Sequence, residues 1–124
     1  MDDLLQFLRD RLDEDEQAAR RASSSRKSGG EWQFVDMQVR AGDGAPVTAH
    51  TWVGEGTHIA RHDPARVLRE VDAKRQIVDQ YDSIGNPPPG EIGPDLVRAE
   101  LGRVLRLLAL QYSDHPDYRQ EWRP

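Results

Sequence analysis

Cysteine is absent from the 124-residue chain, which excludes disulfides, thiolate metal sites and redox chemistry at sulfur and suits a reducing, cytoplasmic setting. Aromatic residues make up only 6% of the sequence and hydrophobic residues 36%, so the core must be small and the surface well solvated. No apolar run reaches membrane-spanning length, and the opening Met-Asp-Asp-Leu-Leu carries neither a basic leader nor an apolar signal core, so no membrane association is expected. Basic charge is in deficit as well. The 17 Lys and Arg against 22 Asp and Glu leave a net charge of -5, which argues against charge-driven binding of nucleic acid. There is no phosphate-binding glycine loop, no nucleophile elbow and no acid pair of defensible spacing, so neither catalysis nor a cofactor is expected.

What is present reads as one α+β domain over residues 1–124: three main helices plus a short helical turn, with a two-stranded antiparallel β-hairpin packed on them. Residues 1–22 form an amphipathic helix, with Leu5, Leu8, Leu12 and Ala19 at helical spacing and Asp13 to Glu16 crowding the other face. Residues 23–30, rich in serine and glycine, read as a flexible loop. Alternation over 31–53 predicts the hairpin, with Val35, Met37 and Val39 on one side, Trp32 and Phe34 on the other, a turn at Gly42-Asp43-Gly44 and a return strand from Val47 to Val53. Thr57 to His62 is the helical turn. Asp63 then caps, and Pro64 opens, a long helix with an apolar stripe of Val67, Val71, Val78 and Tyr81, so residues 57–83 are helical. Prolines make 84–94 a stiff connector. Residues 95–112 form the core helix, whose broad face is Val97, Leu101, Val104, Leu105, Leu108 and Tyr112, and residues 113–124 are a tail anchored by Tyr118 and Trp122.

Three groups of residues carry candidate chemistry. His58 and His62 stand four apart, a spacing at which two imidazoles reach one metal ion, but Ile59 occupies the position of a metalloprotease's general base. A third ligand would have to come from His50, His115 or Asp63, and the histidines remain minority metal candidates. Trp32, Trp52, Tyr118 and Trp122 would line a ligand pocket if hairpin and tail meet, or plug a small core. Arg98, Arg103 and Arg106 would hold phosphate or carboxylate, or else form a solvent-facing stripe.

The stretches HIARHDPARVLREVDAKRQIVDQY at 58–81 and LLALQYSDHPDYRQEWRP at 107–124 resemble a small family of actinobacterial and actinophage proteins known only as a domain of unknown function; the acidic first helix resembles it too. Members usually carry a Thr-Pro-Gly-Pro-Trp-like stretch after that helix, where this chain has residues 23–31 leading into Trp32. Many also have a cysteine-containing segment suggestive of metal, where Ile84 to Asp95 has no cysteine. The resemblance therefore implies an actinobacterial or phage origin and a cytoplasmic setting, and brings no activity, substrate, cofactor or metal with it.

Together these features lead to an expectation of a non-enzymatic binding or regulatory protein acting through contacts with an unidentified protein partner, its binding residues drawn from Trp32, Trp52, His58, His62, Tyr118 and Trp122. The alternatives are a small-ligand or metal binder built on the histidine pair and tryptophans, and an acidic decoy that uses Asp13 to Glu16 to capture a basic partner. Excess apolar surface on the last helix points to a homodimer, with a closed monomer as the alternative.

Overall fold

Leu4, Leu5, Leu8 and Leu12 recur at helical spacing and are the buried face of α1 (Asp2–Ser24) in a computed structural model that describes residues 2–24 and 29–124. The elements that follow are β1 (Trp32–Val35), β2 (Gln38–Ala41), α2 (Val53–Arg61), α3 (Pro64–Ile84) and α4 (Ile92–Ala109), with 3-10 turns at Leu110–Tyr112 and Gln120–Trp122. The fold is α+β, with four helices rather than three and a turn. The described residues resolve into two compact units, one of residues 2–13 and 72–124, the other of residues 14–24 and 29–71. No helix among them is long and apolar enough to cross a membrane.

In the unit of residues 14–71, the hairpin is shorter than the alternation implies. Of the loop expected over 23–30, Ser23 and Ser24 belong to the last turn of α1, where their hydroxyls donate to the Ala19, Arg20 and Arg21 carbonyls; residues 25–28 lie outside the described residues. The strands reverse at Asp36-Met37, both with positive φ (52° and 62°), a two-residue turn that pairs Val35 with Gln38 and Phe34 with Val39. Counting in twos through that turn places Val39 with Val35. The reversal instead puts Val39 and Ala41, both buried, opposite Phe34 and Trp32, and leaves Val35 exposed. The Gly42–Gly44 turn does form, with Gly44 N–H donating to the Ala41 carbonyl at 2.9 Å, but no return strand develops over 47–53. Pro46 makes one isolated bridge to Arg40 and has no N–H to offer, and the Val39 N–H donates to the Thr48 hydroxyl at 3.1 Å instead of to a strand carbonyl.

The hairpin packs on α2, which begins at Val53 rather than Thr57, so Thr57 lies inside the helix. Gly56 makes the contact: a Cβ there would fall within the van der Waals surface of the Phe34 ring. At the next corner the sequence reading holds. Asp63 caps α3 through the Arg66 N–H at 2.8 Å, and Pro64 is its first residue.

In the unit of residues 2–13 and 72–124, the second half of α3 buries Val78 and Tyr81 and ends at Gly85, whose φ of 61° suits glycine after a helix. Phe7 is the hub of an aromatic cluster, with ring centroids 5.0 Å from Trp122, 6.1 Å from Tyr118 and 6.2 Å from Tyr112. Arg9 bonds to Asp82 at 3.0 Å and Asp79 at 3.3 Å, and the Asp82 hydrogen bond is the main reason its guanidinium is held above its ordinary pKa.

Candidate functional site

Hydropathy overstated one face of α4 and missed another. Gly102, Leu105 and Ala109 are its buried residues; Leu101, Val104 and Leu108 are half-buried and Val97 is exposed. Small residues stand at 102 and 109, one on either side of Leu105 and seven apart, so the buried side is the one with the small residues and not the one with the bulkiest. On the outer side Ile92 exposes 72% of its surface, Leu96 62%, Val97 51% and Leu107 49%.

Within that outer side, Leu96, Glu100, Arg103 and Leu107 follow one another at i, i+4, i+7 and i+11 and form a single line along the helix. All four are exposed. Neither Glu100 nor Arg103 makes an ion pair with any described residue, unlike the pairs that tie down arginines elsewhere in the chain.

Beside this line runs an open groove of about 600 Å³ whose walls include Tyr81, Asp95, Arg98, Arg103 and Arg106. Its three arginines are not equivalent. The half-buried Arg98 lies 4.5 Å over the Tyr81 ring and donates to the Gly85 carbonyl, whereas Arg103 and Arg106 are exposed. The solvent-facing stripe expected for all three therefore describes two of them.

The residues singled out in the sequence fall in both units. Trp32 and His62 share a cavity of about 280 Å³ with Ala18, Ala22, Pro64 and Val67, and the buried Trp32 Nε1 has no hydrogen-bond partner among the described residues. Trp52 is 70% exposed, edge-on to His50 at 5.4 Å. The His58 and His62 rings lie 4.3 Å apart, tilted by 35° and exposed, and His62 Nδ1 is 2.9 Å from the His58 carbonyl, to which it donates. Among the described residues no group of three His, Cys, Asp or Glu side chains could hold a metal ion. Asp63 is engaged as a cap, and His115 Nδ1 accepts from Arg11 at 3.1 Å and from the Asp117 N–H at 3.1 Å. Tyr118 and Trp122 are buried against Phe7, as anchors of the tail. Within the acidic run, Asp13 pairs with Arg75 at 2.6 Å and Glu16 with Arg20 at 2.9 Å.

The profile of a family of unknown function, DUF6221, matches residues 1–124, the whole length of the chain. The chain belongs to that family. No curated protein and no solved structure matches it significantly. Membership in DUF6221 thus extends the likeness carried by residues 58–81 and 107–124 over the whole sequence, α4 included.

The outer line of α4 was missed because the helix was phased on its bulkiest residues. The signal was present in the sequence: Leu96 and Leu107 are eleven apart, three helical turns, and fall on the side opposite Leu105.

Proposed function

We propose that this DUF6221 chain is a non-enzymatic binding protein that acts through protein–protein contacts made by the outer face of α4. The observation that carries this reading is the exposure of Ile92, Leu96, Val97 and Leu107 on one helix. Apolar surface left in water forgoes about 25 cal/mol per Å² of stabilisation, so four large apolar side chains exposed on one helix favour a surface that a partner covers. The absence of cysteine supports a cytoplasmic setting, and the actinobacterial and phage resemblance supports an accessory role in such a cell. Affinity capture from the native host, read by mass spectrometry, tests the reading with wild type beside a Leu96→Glu/Leu107→Glu variant. Protein retained by the wild type and lost with the folded variant is the expected result; an unchanged set of captured proteins would refute it.

A second reading, a small-ligand binder, is favoured by one observation: the cavity shared by Trp32 and His62, at about 280 Å³, is near the lower size of small-molecule sites. A ligand seated there and bearing an acceptor would meet an indole N–H that has no partner among the described residues. A ligand library should then raise the melting temperature of the wild type and not of a Trp32→Phe variant. No shift with any compound counts against this reading.

A further inference from the structure

The order apolar, acid, base, apolar along Leu96, Glu100, Arg103 and Leu107 is self-complementary. Rotation by 180° about an axis passing between positions 101 and 102 exchanges 96 with 107 and 100 with 103. We propose that the occupant of the outer face of α4 is a second copy of this chain, docked antiparallel across that two-fold axis. The proposal rests on the reading of this face as the contact surface and names its partner.

In the resulting pair, Leu96 meets the partner's Leu107 and Glu100 meets the partner's Arg103, and symmetry makes each contact twice. Charge selects the antiparallel direction. Glu91, Asp95 and Glu100 lie in the first part of the segment, and Arg103 and Arg106, the two arginines of α4 that engage no described residue, lie in the last. An antiparallel partner brings the acidic half against the basic half and opposes the helix dipoles, whereas a parallel partner stacks like on like. The two apolar ends supply burial, and the central charge pair fixes register. A partner of another sequence has no reason to require that acid and base exchange places under a two-fold rotation; a second copy does.

Charge reversal tests the geometry without touching the core, because Glu100 and Arg103 are both exposed. Sedimentation over a concentration series should show the 14.1 kDa chain passing to twice that mass. Glu100→Arg alone sets arginine against arginine, and Arg103→Glu alone sets glutamate against glutamate; each should weaken self-association by about tenfold or more. An equimolar mixture of the two single variants restores both attractive pairs and should form the heterodimer, and the Glu100→Arg/Arg103→Glu double variant should dimerise about as well as wild type. A chain that stays at 14.1 kDa at its highest soluble concentration overturns the proposal, as does a dimer indifferent to the single reversals or one that neither the mixture nor the double variant restores. The wider reading fails separately. A monomeric wild type whose captured protein is lost with Leu96→Glu/Leu107→Glu would keep α4 as a binding face and remove only the second copy from it.

Discussion

The Asp63 carboxylate ties Trp32 to the start of α3: one oxygen accepts the Arg66 N–H at 2.8 Å, and the other accepts the Trp32 backbone N–H at 3.1 Å. The Gly30 carbonyl closes the same corner by accepting the Ala65 N–H at 3.1 Å. Asp63 is thus both a helix cap and the group that holds the first residue of β1. Asp63→Ala removes both bonds and should cost about 2–3 kcal/mol, the loss of a cap plus an unpartnered, partly buried N–H. Asp63→Asn keeps a single acceptor oxygen and should cost about 1 kcal/mol. Urea unfolding of the three proteins checks the order, and equal losses for Ala and Asn would show that only one bond matters.

Gly54 and Gly56 are both within α2 and should respond oppositely to alanine. No described residue lies within 4 Å of a Cβ at Gly54, so Gly54→Ala should stabilise by about 0.5 kcal/mol through helix propensity and a less flexible unfolded chain. At Gly56 the Phe34 ring occupies that space, and Gly56→Ala should destabilise by about 1–3 kcal/mol through overpacking. Combining Gly56→Ala with Phe34→Leu should recover part of the loss, a coupling that a double-mutant cycle measures and that vanishes if the clash is not the cause.

These corners show which parts of the fold were legible in the sequence and which were not. Asp63-Pro64 announced itself because capping is local chemistry, decided within four residues. The hairpin turn did not. Asp36-Met37 contains no glycine, its positive φ values have to be enforced by the strands on either side, and the more conspicuous Gly42-Asp43-Gly44 drew the turn six residues downstream. α2 was cut short for a similar reason, since Gly54 and Gly56 argue against a helix, and only at Gly56 does the Phe34 ring show why glycine stands there. The candidate binding residues fared unevenly because an aromatic residue's type does not reveal its surroundings: Trp122 is buried against Phe7, whereas Trp52 stands in solvent.

Tyr118 is buried and its hydroxyl has no hydrogen-bond partner among the described residues, although its ring packs edge-on to Phe7 and Trp122. The ring contributes stability and the hydroxyl opposes it. Tyr118→Phe should therefore be neutral or stabilising by up to about 1 kcal/mol, because it removes an unsatisfied buried polar group and leaves the ring in place. Tyr118→Ala should cost about 3–5 kcal/mol through the cavity it leaves. A melting temperature lowered by Tyr118→Phe would mean that the hydroxyl is satisfied in solution, most simply by an internal water.

Arg98 sets where α4 begins its course relative to the end of α3, since its guanidinium lies over Tyr81 and donates to the carbonyl of Gly85, the residue that terminates α3. A lysine can supply the charge and one hydrogen bond, but it cannot lay a planar fork over the ring. Arg98→Lys should therefore lose about 1 kcal/mol and Arg98→Ala about 2 kcal/mol, the latter stripping a charged hydrogen bond, a ring contact and a packed stem together. Because α4 carries the outer line of Leu96, Glu100, Arg103 and Leu107, the same variants should also weaken whatever binds that line, although Arg98 is not one of its members. Hydrogen exchange separates the two effects. Faster exchange confined to the first turns of α4 in Arg98→Ala, with α1 unchanged, is the expected pattern, and uniform loss of protection would show that Arg98 contributes only to global stability.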